Sequence, residues 1–186
     1  MVSLQVWGNH HCLHQTEFKK TLSHLISRRN RFNEPIYNLK SDQKLNGRII
    51  NKVKVTILKQ NKAPQIHVFI LGDVDLEQER PIKDLCEAFD KLTDLTSLHQ
   101  QTHFVVCSII PQIPYETDSR TDLFNRELYK QLKNKKKVTV VKVDRKLSQD
   151  DFENQKDLNE NGAVRLAQFV AKAVDTIPRR SLKCSN

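Results

Sequence analysis

Glycine is scarce in this chain. Gly8, Gly47, Gly72 and Gly162 are the only four in 186 residues, where average usage of roughly 7% would give about 13. Few glycine-rich phosphate cradles can be built from so few, and each retained glycine becomes a marker. Long apolar runs are missing too. No stretch approaches the ~20 apolar residues that a bilayer span requires, and the first 20 residues hold no long apolar core, so neither a transmembrane helix nor a secretory leader is expected. The four cysteines, Cys12, Cys86, Cys107 and Cys184, are far apart and form no CxxC pair. A structural zinc site needs closely spaced thiolates, so reduced cysteines in a cytoplasmic protein are the expectation. Aromatic residues make up 6% of the chain, and no aromatic strand motif of the kind that stacks RNA bases is present.

A hydrophobic content of 38% is enough for a real core, and 186 residues suit one domain. We place that domain over residues 1–178, followed by a basic tail over 179–186. Met1 is the only methionine and lies almost on the first apolar run, as expected of a domain excised from a longer protein. The net charge of +9 is concentrated. Nine basic residues stand against two acidic ones between Arg126 and Lys146, a net +7 in 21 residues that leaves +2 for the other 165. Lys133, Lys135, Lys136, Lys137, Arg145 and Lys146 carry most of it. Arg28, Arg29 and Arg31 form a second knot, and Arg179 and Arg180, with Lys183, a third. A lysine-rich helix end can be merely solvated, but three clusters in one domain favour a polyanionic partner, nucleic acid before membrane.

Apolar runs alternate with helical periods. Strands are expected at Ser3–Trp7, Pro35–Leu39, Gln65–Leu71, Thr102–Ile110 and Val138–Val143. Helices are expected over 16–29, 80–98, 118–133 and 162–177. Asp42–Gln60 fits two patterns: Val53, Val55 and Ile57 alternate like a strand, whereas Leu45, Ile49, Val53 and Ile57 recur every four residues. The four-residue spacing predicts a helix, with Ser41 or Asp42 as its cap. Five strands separated by helices predict an α/β fold, a three-layer α/β/α domain with a five-stranded parallel sheet.

Three of the four glycines then fall after the first strand, after the third, and at the start of the last helix. With Gly8-Asn9-His10, Gly72-Asp73-Val74-Asp75 and Asn154-Gln155-Lys156-Asp157-Leu158-Asn159-Glu160-Asn161-Gly162, the chain resembles the SGNH (GDSL-type) hydrolase superfamily over nearly its whole length. The resemblance implies a flavodoxin-like topology. It also aligns the family's nucleophilic serine with His10, its oxyanion-hole glycine with the neighbourhood of Lys40, and its oxyanion-hole asparagine with Val74. The family's aspartate and histidine bases align with Asn154 and Asp157. Serine acyl transfer needs an imidazole within hydrogen-bond reach and donors aimed at the developing oxyanion. The last histidine is His103, so the chain is expected to be a pseudo-hydrolase with no catalytic residues and no cofactor. His10, Cys12 and His14 could join Asp73 and Asp75 around a metal, but a polar loop is the plainer reading and no metal is expected.

Among degenerate members of the superfamily, the chain is similar to the OSK domains of the Oskar family of insect germ-plasm organisers, on the retained markers, the substituted triad and the clustered cations. That resemblance implies binding of maternal mRNA in single-stranded or loop regions, other germ-plasm proteins as partners, a role in pole cell formation, and residence in cytoplasmic ribonucleoprotein granules. Two rivals stand beside it: an active esterase with a non-standard nucleophile, and a scaffold for an acidic protein partner.

Overall fold

A computed structural model describes residues 2–8, 15–28, 32–40, 43–60, 64–110, 119–144 and 146–178. The strands are β1 (Ser3–Gly8), β2 (Ile36–Leu39), β3 (Gln65–Ile70), β4 (Thr102–Cys107) and β5 (Val138–Val141). Between and after them lie α1 (Gln15–Ser27), α2 (Gly47–Lys59), α3 (Asp73–Glu77), α4 (Ile82–Asp94), α5 (Arg120–Leu132) and α6 (Glu160–Thr176). Short 3-10 turns occupy Leu95–Leu98 and Gln149–Asp151. All strand pairs are parallel, in the order β2-β1-β3-β4-β5. The expected α/β class and five-stranded parallel sheet are therefore observed.

Every residue of β1, β3 and β4 is buried, which is why these strands read as apolar runs rather than alternating patterns. One face of the sheet packs against α1 and α6, where Phe18, Leu22, Ile26, Leu166, Val170 and Val174 are buried. The other packs against α2, α4 and α5 through Ile49, Val53, Ile57, Phe89, Phe124 and Leu128. Burial of each such side chain stabilises the fold by about 1.5–3 kcal/mol.

The two patterns in the α2 segment are separated by burial. Ile49, Val53 and Ile57 face the core while Val55 is 42% exposed, so the helical period prevails. The helix starts later than expected, at Gly47, where Asn46 caps it: its Oδ1 accepts the N–H groups of Arg48 (3.0 Å) and Ile49 (3.2 Å). Pro81 is the residue before α4, and that helix passes into the 3-10 turn at Leu95 instead of running on to Leu98. The short α3 has too few residues for a readable period. A parallel sheet sends all strand ends to one edge and returns all helices to the other. The chain reverses its direction of travel between β1 and β3, which opens a crevice at the strand C-termini.

Candidate functional site

Gly8 closes β1 against β3. A β-carbon there would stand 2.7 Å from the Ile70 carbonyl oxygen, so the strands come together only around a glycine. Gly72 follows β3 with a φ of +113°, a left-handed conformation that favours glycine. It turns the chain into α3, where Asp75 is buried. The Asp75 carboxylate accepts the Leu45 N–H at 2.8 Å and pairs with Arg80 at 2.8 Å. Arg80 also donates to the Leu45 carbonyl at 2.5 Å. This carboxylate is thus committed to tying the segment before α2 to the β3 end, rather than offered to a ligand.

Across the crevice, Asn154 organises a turn. Its Oδ1 accepts the N–H groups of Lys156 and Asp157, each at 2.8 Å, and its Nδ2 donates to Asp157 Oδ2 at 2.8 Å. Lys156 reaches Glu77 of α3 at 3.0 Å, so the loop before α6 and the segment after β3 meet. Asp151, buried, receives Ser148 and Arg165 (2.8 Å), and its carbonyl fills the space beside Gly162. His10, Cys12 and His14 lie outside the described residues. Among the described residues no group of three or more His, Cys, Asp or Glu could hold a metal ion.

The cations sort into different kinds. Arg28 ends α1 at the N-terminal edge of the sheet and is exposed. Lys133 and Lys136, after α5 at the same edge, are exposed and make no ion pair among the described residues. Lys135 is bound instead: it contacts Asp90 at 2.5 Å, Asp94 at 2.9 Å and Thr93 Oγ1 at 2.9 Å. Burial works against its charge, but the hydrogen bonds it donates to the two carboxylates prevail and hold its pKa above the ordinary lysine value. The Lys135 hydrogen bond correspondingly lowers Asp90. Lys137, at φ +62°, donates to the carbonyls of Thr96 and His99. Lys142 sits 3.4 Å from the centre of the Tyr129 ring, and Lys146 5.1 Å from that of Phe169. Arg29, Arg31, Arg145, Arg179 and Arg180 lie outside the described residues.

Neither a family model nor a curated protein matches the chain by sequence. Solved structures do match by shape. A member of the lipolytic G-D-S-L family from Veillonella parvula superposes with a TM-score of 0.71 at 16% identity, covering 95% of this chain and 98% of that one. A carbohydrate esterase family 3 protein from Talaromyces cellulolyticus gives 0.77 at 13%, covering 95% and 98%. The family 3 carbohydrate esterase of Clostridium thermocellum gives 0.72 at 15%, covering 98% and 100%. The fold is that of the SGNH hydrolases.

The expectation of a non-enzyme is corrected by the same finding. These three proteins, which superpose on almost the whole chain, are two esterases and a lipolytic-family member by name. Nor is the crevice emptied of polar chemistry: Asn154 and Asp157 face each other across a hydrogen bond at its rim. Substituted letters at aligned positions are no measure of what such a rim can do.

On this SGNH framework, one basic element escaped the sequence reading. Helix α2 contains Arg48, Lys52, Lys54 and Lys59 and no acidic residue. Between Lys40 and Lys62, seven basic residues oppose one acid, a net +6 in 23 residues. The +2 assigned to everything outside 126–146 concealed it, because Asp73–Asp94 has eight acids against three bases. A running sum of charge along the chain would have found it.

Proposed function

We propose that this chain is an RNA-binding domain built on the SGNH-hydrolase fold. The observation that carries the reading is the set of exposed cations at the N-terminal edge of the sheet, Arg28, Lys133 and Lys136, without ion-pair partners among the described residues. Arg29 and Arg31 adjoin Arg28 in the chain, and Arg179 and Arg180 follow the end of α6, which packs beside α1. Arginine and lysine at such positions contact phosphates, which supplies affinity with little sequence information. Base reading falls to guanidinium stacking, since Trp7 and most of the phenylalanines are buried. The similarity to OSK domains supports maternal mRNA as the RNA, held in cytoplasmic germ-plasm granules.

Binding to a single-stranded RNA is tested by titration across a salt series. Three phosphate contacts give a slope of log affinity on log salt of about −2. An affinity flat in ionic strength overturns the reading. Crosslinking to RNA with peptide mapping then locates the site: adducts are expected on peptides holding Arg28–Arg31, Lys133–Lys146 or Arg179–Lys183. Good overall crosslinking without adducts on those peptides assigns the clusters to a protein partner instead.

A further inference from the structure

The β2 edge of the sheet is unpaired among the described residues, where β2 pairs only with β1. The Lys40 N–H donates to the Gly8 carbonyl, so by the alternation of a strand the N–H and C=O groups of Tyr37 and Leu39 point away from β1. Beside this edge runs a groove of about 550 Å³ between β2 and α2. Its floor is Trp7, and Asn38, Ile49, Lys52, Val55 and Thr56 contribute to its walls. Among the described residues no acidic side chain lines it, and Lys40 and Lys52 do. On α2, Arg48, Lys52 and Lys59 recur at spacings of four and seven, a single stripe along the groove side of the helix. All three are exposed. Ile36 is 50% exposed and Val55 42%, so the site also offers apolar surface.

From this we infer a peptide-binding site: the β2 edge and the α2 stripe accept an acidic, extended peptide segment that adds to the sheet as a sixth strand. The open N–H and C=O groups of Tyr37 and Leu39 supply main-chain pairing. Lys40, Lys52 and Arg48 meet the acidic side chains on one face of the added strand. Val55 and Ile36 receive an apolar side chain beside them. The alternative occupant, single-stranded nucleic acid, is less well served. It carries no alternating amide N–H and C=O groups to pair with those of Tyr37 and Leu39, which an extended peptide does. The site centres on Lys40, Lys52 and the β2 edge, and does not depend on the RNA-binding reading.

The probe is a fluorescent synthetic peptide of about eight residues, the length of a strand, with Glu and a single Val at the alternate positions of one face and Thr on the other face. Fluorescence anisotropy with the full chain is expected to show saturable binding, weakened about tenfold or more when Gln replaces Glu or when Lys52→Glu is introduced. The exposed Lys136→Glu, at the far end of the sheet, is expected to leave peptide affinity unchanged. Two further peptides carry N-methyl groups at alternate backbone nitrogens of opposite parity. Only one parity faces β2, so one peptide is expected to lose binding and the other to keep it. Retention in both, loss in both, no saturable binding, or equal effects of Lys52→Glu and Lys136→Glu overturns the proposal. So does displacement of the peptide by a uridine oligonucleotide whose own affinity falls with Lys52→Glu, which would assign the groove to nucleic acid.

Discussion

The Asp151 carbonyl occupies the place a β-carbon on Gly162 would take, and Leu158 Cδ2 stands 3.0 Å away. Gly162→Ala must push the 3-10 turn off α6, and a loss of about 2–3 kcal/mol is expected in urea unfolding. Gly47 is the opposite case. It opens α2, and a β-carbon there meets nothing within 4 Å, so Gly47→Ala is expected to stabilise by about 0.5–1 kcal/mol. The sequence showed both as glycines, and only their surroundings separate a packing requirement from an open position. His67 makes the same point for a titrating group. Its Nδ1 accepts from Trp7 Nε1 at 3.2 Å, which leaves the proton on Nε2 facing Gln65 Oε1 at 3.1 Å. Gln65 in turn donates to the Ile57 and Gln60 carbonyls. Burial lowers the His67 pKa to about 3, and burial followed by the Lys137 charge lowers His103 to about 4. An unfolded histidine titrates near 6.5, so below that pH the unfolded chain binds protons the folded one refuses. Stability is therefore expected to fall as pH drops from 6.5, each histidine's slope approaching about 1.4 kcal/mol per unit. Urea midpoints between pH 7.5 and 5.5 measure this above most carboxylate titration, and His67→Gln is expected to flatten the dependence.

At the scale of elements, helical and strand periods were legible where one face is buried, and boundaries were legible only where a cap or turn is local. Asn46 caps α2 because its side chain meets the first free N–H groups of that helix, whereas the expected caps Ser41 and Asp42 lie outside the described residues. Helix α3 escaped notice because five residues hold no period, and its place depends on a contact distant in sequence: Arg80 and Asp75 gripping Leu45. Arg80→Ala leaves the Asp75 carboxylate buried without its cation, and a loss of about 2–4 kcal/mol is expected in chemical denaturation. Lys135 and Lys136, neighbours in one run, separate in the same way. Lys135 fastens the approach to β5 onto the end of α4, partly exposed, so Lys135→Ala is expected to lower stability by about 1 kcal/mol. Lys136→Glu is expected to leave the thermal midpoint in place while weakening RNA binding and reducing its salt slope.

For the whole molecule, the order of apolar runs and helical periods was sufficient for a parallel α/β sheet, since a strand buried on both faces and a helix between strands admit few other arrangements. The spacing of Gly8, Gly72 and Gly162 pointed further, to the SGNH arrangement, because close approaches of backbone recur at fixed places in that fold. Charge was legible as composition but not as surface. Its sum along the chain cannot show that Lys135 is spent on Asp90 and Asp94, that Lys142 and Lys146 lie over aromatic rings, or that α2 turns a basic stripe towards an open sheet edge. Nor could substituted letters in three blocks decide catalysis, which depends on groups brought together from separate loops. The sequence by itself determined the class of fold, because periodicity and burial are local records of which face meets the core. The tertiary structure alone decided which cations stay free and where the sheet remains open, because both depend on residues far apart in the chain meeting or failing to meet.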